Sequence, residues 1–358
     1  MTWVTNDLLT DFGPCWTPDG RFIVFSSAYR GGGINVWRVP VTREGAPVGP
    51  AEPVTTGAGQ DVDPVVSPDG SRLAFAVFRQ NAEIWRLPVD PATGRASGAP
   101  RRLIGGTREQ SRGAWSPDGK RIAFNSDRIG DMHLWLHQLE DGSERQLTQG
   151  PGGDYQPNWS SDGSTLAFFS YRDGHVAIWT AEVEGGALRQ ITRGNSVDVN
   201  PFFSPDGSQI AFQSDRDGRL EVWVMNADGS GVRQLTRVGV GGHFLRWTLD
   251  GRNVIFRCPG LKTLMRVGVD GGDPEPLPNV QGGSHISLSP DASRIMDVVS
   301  HKVLWVSPLA GGSPEPVFEF QEPEARIDYH VWSPDGTWVI FDRFQPRGGD
   351  IWVGETLD

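Results

Sequence analysis

Cysteine is scarce in this 358-residue chain; only Cys15 and Cys258 occur. Each falls in an apolar run assigned to a strand of a different repeat, so the pair reads as two buried free thiols and leaves the redox compartment open. Long apolar runs are missing too, none approaching the ~18 residues of a membrane-spanning helix. No basic segment followed by an apolar one stands at the N-terminus, so no signal peptide is expected. There is no Lys/Arg run, and the net charge is −11. Such a chain is poorly matched to nucleic acid or to an anionic membrane, and neither is expected as a partner. The motifs of catalysis are equally thin: no Gly-x-Ser-x-Gly elbow, phosphate loop, paired metal-binding cysteines or His-Glu-x-x-His. Asp215-Arg216-Asp217-Gly218 lacks the ligand spacing of a calcium loop and is explained by turn chemistry. No cofactor is expected.

Glycine and proline, in contrast, are plentiful at 46 and 27 residues, and they are distributed by a period. A Ser-Pro-Asp-Gly-like anchor begins at Thr17, Ser67, Ser116, Ser160, Ser204, Thr248, Ser289 and Ser333, at spacings of 50, 49, 44, 44, 44, 41 and 44. A period in the forties means a stacked or circular repeat. In the fifth repeat, Val199–Phe203 precedes the anchor, and Asp206-Gly207 between apolar runs is a strong hairpin signal. Ile210-Ala211-Phe212, Glu221–Val224 and Arg233–Thr236 follow as further strands. Four antiparallel strands in 44 residues make a β-propeller blade. Phe recurs at 25, 75, 124, 168, 212, 256 and 341, and Trp at 37, 85, 135, 179, 223, 305 and 352. At such positions, packing between blades is expected rather than ligand stacking.

The last repeat ends at its third strand, Ile351-Trp352-Val353. Closing residues of the fourth strands lie 12 positions before the next anchor, as Thr148 does before Ser160, and Thr5 stands at that distance before Thr17. Trp3-Val4-Thr5 is therefore the orphan fourth strand, expected to complete the last blade and remove the open sheet edges. The expectation is an all-β, single closed propeller domain over residues 1–358 with eight blades. Seven is the competing count, because the seventh repeat has Ala292 for Gly and Asp297 where others have Phe.

Two charge patterns stand out. Asp precedes the anchor by six residues at Asp11, Asp61, Asp154 and Asp198, and Arg follows it at Arg30, Arg79, Arg128, Arg172 and Arg216. Both types are absent from repeats six and seven. A structural ion pair is expected, with a charged ring at the channel mouth as the alternative. His243, His285 and His330 lie just before the last three anchors, where the chain reaches the innermost strand, with Arg246, Arg326, Asp328 and Tyr329 nearby. Three converging imidazoles suit a transition metal, acid–base work or a ligand pocket; scattered rim histidines are the plainer account. His133, His137, His175 and His301 look incidental. Asp63, Arg112, Gln156 and Asn200 stand four residues before their anchors, as do His285 and Tyr329, so these side chains would ring the channel mouth.

The run Trp115-Ser116-Pro117-Asp118-Gly119-Lys120-Arg121-Ile122-Ala123-Phe124-Asn125-Ser126-Asp127-Arg128, repeated from Phe203 to Arg216, resembles the TolB-type WD40-like propeller repeat. The resemblance covers essentially the whole chain. It implies a bacterial scaffold fold shared by TolB, which binds a peptidoglycan-associated lipoprotein, and by the propellers of prolyl-oligopeptidase-type peptidases. Sensor-like halves of some regulators and some polysaccharide lyases, a few with a His-ligated metal, share it too. The chain differs from TolB in repeat number and shows no separate N-terminal domain, so that partner is not carried over. The resemblance implies a periplasmic or extracytoplasmic setting. The resulting expectation is a non-catalytic binding, sensing or scaffold module. Its partner would be a protein, a peptide, a small polar ligand, or other domains of a larger parent chain. The alternative is a lyase or hydrolase with a His-based, metal-dependent site in repeats six to eight.

Overall fold

The computed structural model describes residue 4 and residues 11–27, 34–55, 60–240, 245–258, 263–277, 285–323 and 325–355. Every regular element among them is a β-strand. The anchor owes its recurrence to a closed set of hydrogen bonds. Ser116 Oγ donates to Asp118 Oδ1 at 2.5 Å, that oxygen accepts from the Lys120 amide at 3.1 Å, and Ser116 Oγ accepts from the Arg121 amide at 2.9 Å. Gly119 completes the turn at φ 69°, where glycine has no steric penalty. The seventh repeat keeps the same bonds around Ser289 and Asp291, with Ala292 taking φ 50°. The closing threonines also have a task. Thr55, Thr148, Thr192 and Thr236 each accept a third-strand amide at 2.9 Å through Oγ1, satisfying donors that the short fourth strand leaves over.

In each of the eight repeats an inner strand pairs antiparallel with a second strand. Repeats one and three to seven each form a four-stranded sheet in chain order. This is the all-β propeller that the period requires. Repeats two and eight differ from the expected pattern. Their second and third strands run on without a hairpin, as Arg72–Pro88 and Trp338–Glu355. In repeat two, no glycine stands between Val77 and Ile84 to reverse the chain.

The chain divides into two compact units, Met1–Asn81 with Gln345–Asp358, and Ala82–Phe344. In the first, the sheet of repeat one packs its Ile23, Phe25, Trp37, Val39 and Val41 together, with Val4 against them. Trp3 and Thr5, expected to close the last blade, lie outside the described residues. Ile351, Trp352 and Val353 are 81%, 53% and 62% exposed.

The second unit contains five complete blades and a sixth sheet. That sheet takes Arg326–Trp332, residues 338–344, residues 82–88 and Arg101–Ile104. Within it the Val89 amide donates to the Thr337 carbonyl at 2.9 Å, Arg86 lies 4.5 Å over Trp338 and Arg343 4.4 Å over Trp85. The inner strand Arg326–Trp332 lies beside Ile286–Leu288 on one side and Gln110–Trp115 on the other, so the six inner strands of this unit surround one channel. A tryptophan relay joins neighbours. Trp159 Nε1 donates to the Ala114 carbonyl at 3.0 Å, Trp247 Nε1 to Phe202 at 2.9 Å and Trp115 Nε1 to Val331 at 3.4 Å.

Phe124, Phe168, Phe212, Phe256 and Phe341 are at most 1% exposed, each worth roughly 1.5–3 kcal/mol of burial. They sit in clusters that bridge neighbouring repeats, as Leu134 and Leu136 do with Leu166 and Phe168. The third-strand tryptophans join these clusters from the side and are capped by arginine. Arg128, Arg172 and Arg216 lie 4.4, 5.1 and 5.0 Å over Trp135, Trp179 and Trp223. The expected Asp–Arg ion pair is present in repeats four and five, Arg172 to Asp154 at 2.6 Å and Arg216 to Asp198 at 2.9 Å. Arg128, which has no aspartate at that position, pairs with Glu144. His133 and His137 are less incidental than expected, lying 3.4 Å from Asp154 and 3.1 Å from Glu144. The side chains of Arg30 and Arg79 lie outside the described residues. Cys15 and Cys258 are free thiols, as expected, but only Cys258 is buried; Cys15 is half-buried.

Candidate binding channel

The inner strands do not run straight to the anchors. In repeats three, four, five and eight the register slips between Ser111 and Ala114, Tyr155 and Asn158, Val199 and Phe202, and Asp328 and Val331. The residue inside each bulge takes a left-handed backbone: Arg112 at φ 58°, Gln156 at 58°, Asn200 at 56° and Tyr329 at 49°. Asp63 in the first unit, at φ 54°, sits at the same register, where repeat one has Gly13 at φ 60°. Proline follows at Pro14, Pro64, Pro157 and Pro201; it brings no amide to the ladder and so favours a bulge there. A left-handed non-glycine residue costs ~1–3 kcal/mol, and here it recurs at one register. Two bulge amides are held by the neighbouring repeat. The Arg112 amide donates to Asp342 Oδ2 at 2.8 Å, and the Gln156 amide to Asn125 Oδ1 at 3.0 Å. Asp342 and Asn125 are counterparts, each nine residues after its anchor. Complete burial raises the Asp342 carboxyl well above its ordinary value and so favours the protonated form, which is the closer counterpart of the asparagine.

The strands enclose a channel of about 420 Å³ within residues 82–344. Arg112, Gln156, His285 and Tyr329 form one level. Next along the strands come His330 and Arg246, followed by Trp115, Trp159, Trp247 and Trp332, and then the anchor prolines. Contacts knit the first level together. Arg112 Nη1 donates to Gln156 Oε1 at 3.2 Å, and its guanidinium lies 3.6 Å over the Tyr329 ring. The rings of Tyr329 and His285 are 3.9 Å apart, tilted by 46°. Behind them Asp328 Oδ1 is hydrogen-bonded to the Nδ1 of His285, and its Oδ2 lies 3.1 Å from the Nδ1 of His301.

Burial sets the charge states. It pushes the Tyr329 hydroxyl up to about 12 and the His330 imidazole down to about 4. It also lowers Arg246 to about 10, which leaves the guanidinium charged at neutral pH. Burial lowers His285 as well, against the pull of Asp328. Burial opposes ionisation of Asp328, but the hydrogen bond and charge of His285 and then His301 hold it below its ordinary value. His330 Nε2 donates to the Met296 carbonyl at 2.8 Å, which leaves Nδ1 as the lone-pair nitrogen, without a hydrogen-bond partner among the described residues.

Of the residues expected at the channel mouth, Arg112, Gln156, Arg246, His285, Tyr329 and His330 are brought together. Asn200 is not; it is 1% exposed and its amide nitrogen donates to Gln213 Oε1 beside it. Asp63 belongs to the other unit, where it is exposed. His243 lies outside the described residues. No metal-holding cluster of His, Cys, Asp and Glu occurs among the described residues. Two residues that sequence reasoning missed are His301 and Asp342. The signal for Asp342 was available, since Asn125 and Gln213 mark the same position as polar. His301 carries none; only the fold brings its loop to Asp328.

The model of the family described as the TolB beta propeller domain matches residues 62–191 and 114–307. An uncharacterized protein of Agrobacterium fabrum is 32% identical over 120 residues, which is 31% of this chain and 38% of that protein. The match thus spans well under half the length of that relative. TolB from Acinetobacter baumannii superposes with a TM-score of 0.51 at 17% identity, over 90% of this chain and 78% of TolB. A chain of a nidogen/laminin complex superposes with a TM-score of 0.54 at 13% identity, over 66% of this chain and 90% of that one. At these identities the two structures are evidence of fold alone.

Proposed function

The chain belongs to the TolB beta propeller domain family, and from that premise we propose that it is a non-catalytic binding module whose recognition site is the channel of residues 82–344. The observation that carries this reading is the bulge register. Backbone strain is repeated at the positions that turn Arg112, Gln156 and Tyr329 into the cavity. Strain of this kind concentrates where side chains must be aimed at a ligand. The cavity is of the size that takes a small molecule or a short peptide segment. A larger protein partner would reach it by inserting a loop, and the rest of the propeller would serve as scaffold.

The test is a channel plug. Ala114 lines the cavity, and Ala114→Trp would fill it. Polar compounds and short peptides that raise the melting temperature of the parent protein are expected to lose that effect in the variant, with its own cooperative melt kept. Ligands that stabilise both proteins equally would place recognition elsewhere. A second reading, a His-based lyase or hydrolase, is favoured by the hydrogen bond between Asp328 Oδ1 and the Nδ1 of His285. That arrangement fixes a histidine tautomer as acid–base sites require. Turnover of an acidic oligosaccharide that is lost in His285→Ala would overturn the non-catalytic assignment.

A further inference from the structure

We infer that the ligand of this channel is an amphipathic organic anion, its acidic head held by Arg112 and Arg246 and its apolar body laid along the ring of tryptophans. The inference deepens the binding reading above and rests on it. Its first support is charge. The chain carries −11 overall, yet no Asp or Glu is among the described residues that line the channel, whereas two arginines are. Asp328 stands behind His285 rather than in the lining, so the groups that a ligand would meet carry only positive charge, which attracts the opposite sign and disfavours cations. The lining histidines do not add to this contrast, because burial lowers both, His330 to about 4, and so disfavours their charged forms. They act there as hydrogen-bonding groups.

The second support is cost. Arg246 is enclosed enough for desolvation to lower its guanidinium to about 10, and that guanidinium lies 4.2 Å over the Phe202 ring. Its Nη1 already donates to the Leu245 carbonyl at 2.7 Å, and an incoming carboxylate or phosphate would add charge-assisted hydrogen bonds to a cation held in these low-dielectric surroundings.

The third support is the gradient along the channel. Arg112, Gln156 and Tyr329 stand three residues before Trp115, Trp159 and Trp332 in their strands. At a strand rise of about 3.3 Å per residue the polar and aromatic levels are ~10 Å apart. Arg246 lies between them in register, one residue before Trp247, and also lines the channel. A ligand filling this space is acidic at one end and apolar along the rest.

The test uses the whole chain, with binding followed by tryptophan fluorescence and calorimetry. Probes are octanoate and octyl phosphate as amphipathic anions, octylammonium as the opposite charge and acetate as a head group without a body. At least one amphipathic anion should bind, octylammonium and acetate should not, and which anion binds tighter identifies the head group. Arg246→Met is expected to weaken binding about tenfold or more, the loss typical of one charge-assisted contact. Arg95→Met, at an exposed pair with Glu315, should leave it unchanged. If Arg246→Met melts early, Arg112→Gln provides the same comparison. Equal binding of octanoate and octylammonium, or no loss in either arginine variant, overturns the anion assignment while the channel remains a binding site. Failure of every amphipathic probe, with other ligands still lost in Ala114→Trp, likewise rejects the anion and spares the channel. Ligands insensitive to Ala114→Trp would reject the channel itself.

Discussion

Repeats four and five and repeats six to eight use the same turn chemistry yet treat their charged residues in opposite ways. In the earlier group, charge is paired off beside the blades. Asp154 is bound by Arg172 and Asp198 by Arg216, and each arginine also covers a third-strand tryptophan. Burial opposes the ionised Asp154 carboxylate, but His133 and Arg172 hold it below its ordinary value all the same. In the later group, repeats six and seven lack both members of that pair. Arg246, His285, Tyr329 and His330 face the channel instead, with Asp328 and His301 behind them. The lesson concerns how a repeat protein acquires a site. The turns and core are reproduced unchanged, while the inner strands of a few repeats exchange locked ion pairs for titratable groups that point inward.

The sharpest way to break this comparison is to remove a locked charge. Asp154→Ala leaves Arg172, whose side chain is 10% exposed, without its carboxylate. We expect a loss of about 3–5 kcal/mol, the usual result of stripping one partner from a buried pair, measured by chemical denaturation. A loss below ~1 kcal/mol would mean that the pair is peripheral, in the manner of exposed ion pairs.

Acid should act on the other group of repeats. The His330 pKa of about 4 lies below its ordinary value, because the folded state keeps the imidazole neutral. The stability this contributes is complete above the unfolded value near 6.5 and is lost as the pH falls toward about 4, up to ~3 kcal/mol in all. His330→Gln, which can still donate to the Met296 carbonyl, should flatten this part of the pH–stability curve.

A smaller effect of opposite direction is expected at Asp342. Its raised pKa means that the protonated form is favoured in the fold, so its contribution is complete below about 4 and is lost as the pH rises. Asp342→Asn keeps the acceptor for the Arg112 amide. It should stabilise the protein at pH 8 by on the order of 1 kcal/mol and have little effect at pH 4. Equal melting temperatures of the two proteins at pH 8 would show that the carboxyl is hydrated. The smallest change should come from Glu315→Ala, which breaks an ion pair whose side chains are 63% and 50% exposed. A loss under ~1 kcal/mol, shrinking in salt, is expected, as a baseline for the buried pairs.

Much of the fold was legible because its determinants are local. Ser116, Asp118 and Gly119 satisfy one another within a few residues, so the turn can be read wherever those types recur. The spacing of Thr148 before Ser160 was legible for the same reason, since its hydroxyl has a fixed place beside the third strand. The site was less legible. Counting four residues back from each anchor found Arg112, Gln156, His285 and Tyr329, because register along a strand is preserved between repeats. The same count included Asn200, which turns to Gln213 instead, a choice made by side-chain packing. His301 was dismissed because its neighbours in sequence say nothing of Asp328. The missing hairpins of repeats two and eight show the limit from another side: absence of a turn residue hints at Arg72–Pro88 running on, but Gly348-Gly349 gives no such hint for Trp338–Glu355.

The sequence alone determined the repeat, the all-β blade and the register at which polar side chains meet the channel. Each of these follows from hydrogen bonds and periodicities that span a few residues. Tertiary structure alone decided that this register is a left-handed bulge and that Asp342 of repeat eight holds the Arg112 amide. It alone placed His301 and His285 beside one carboxylate. These depend on groups 16 to 230 residues apart, whose proximity is created where six inner strands line one channel and is written in no local pattern.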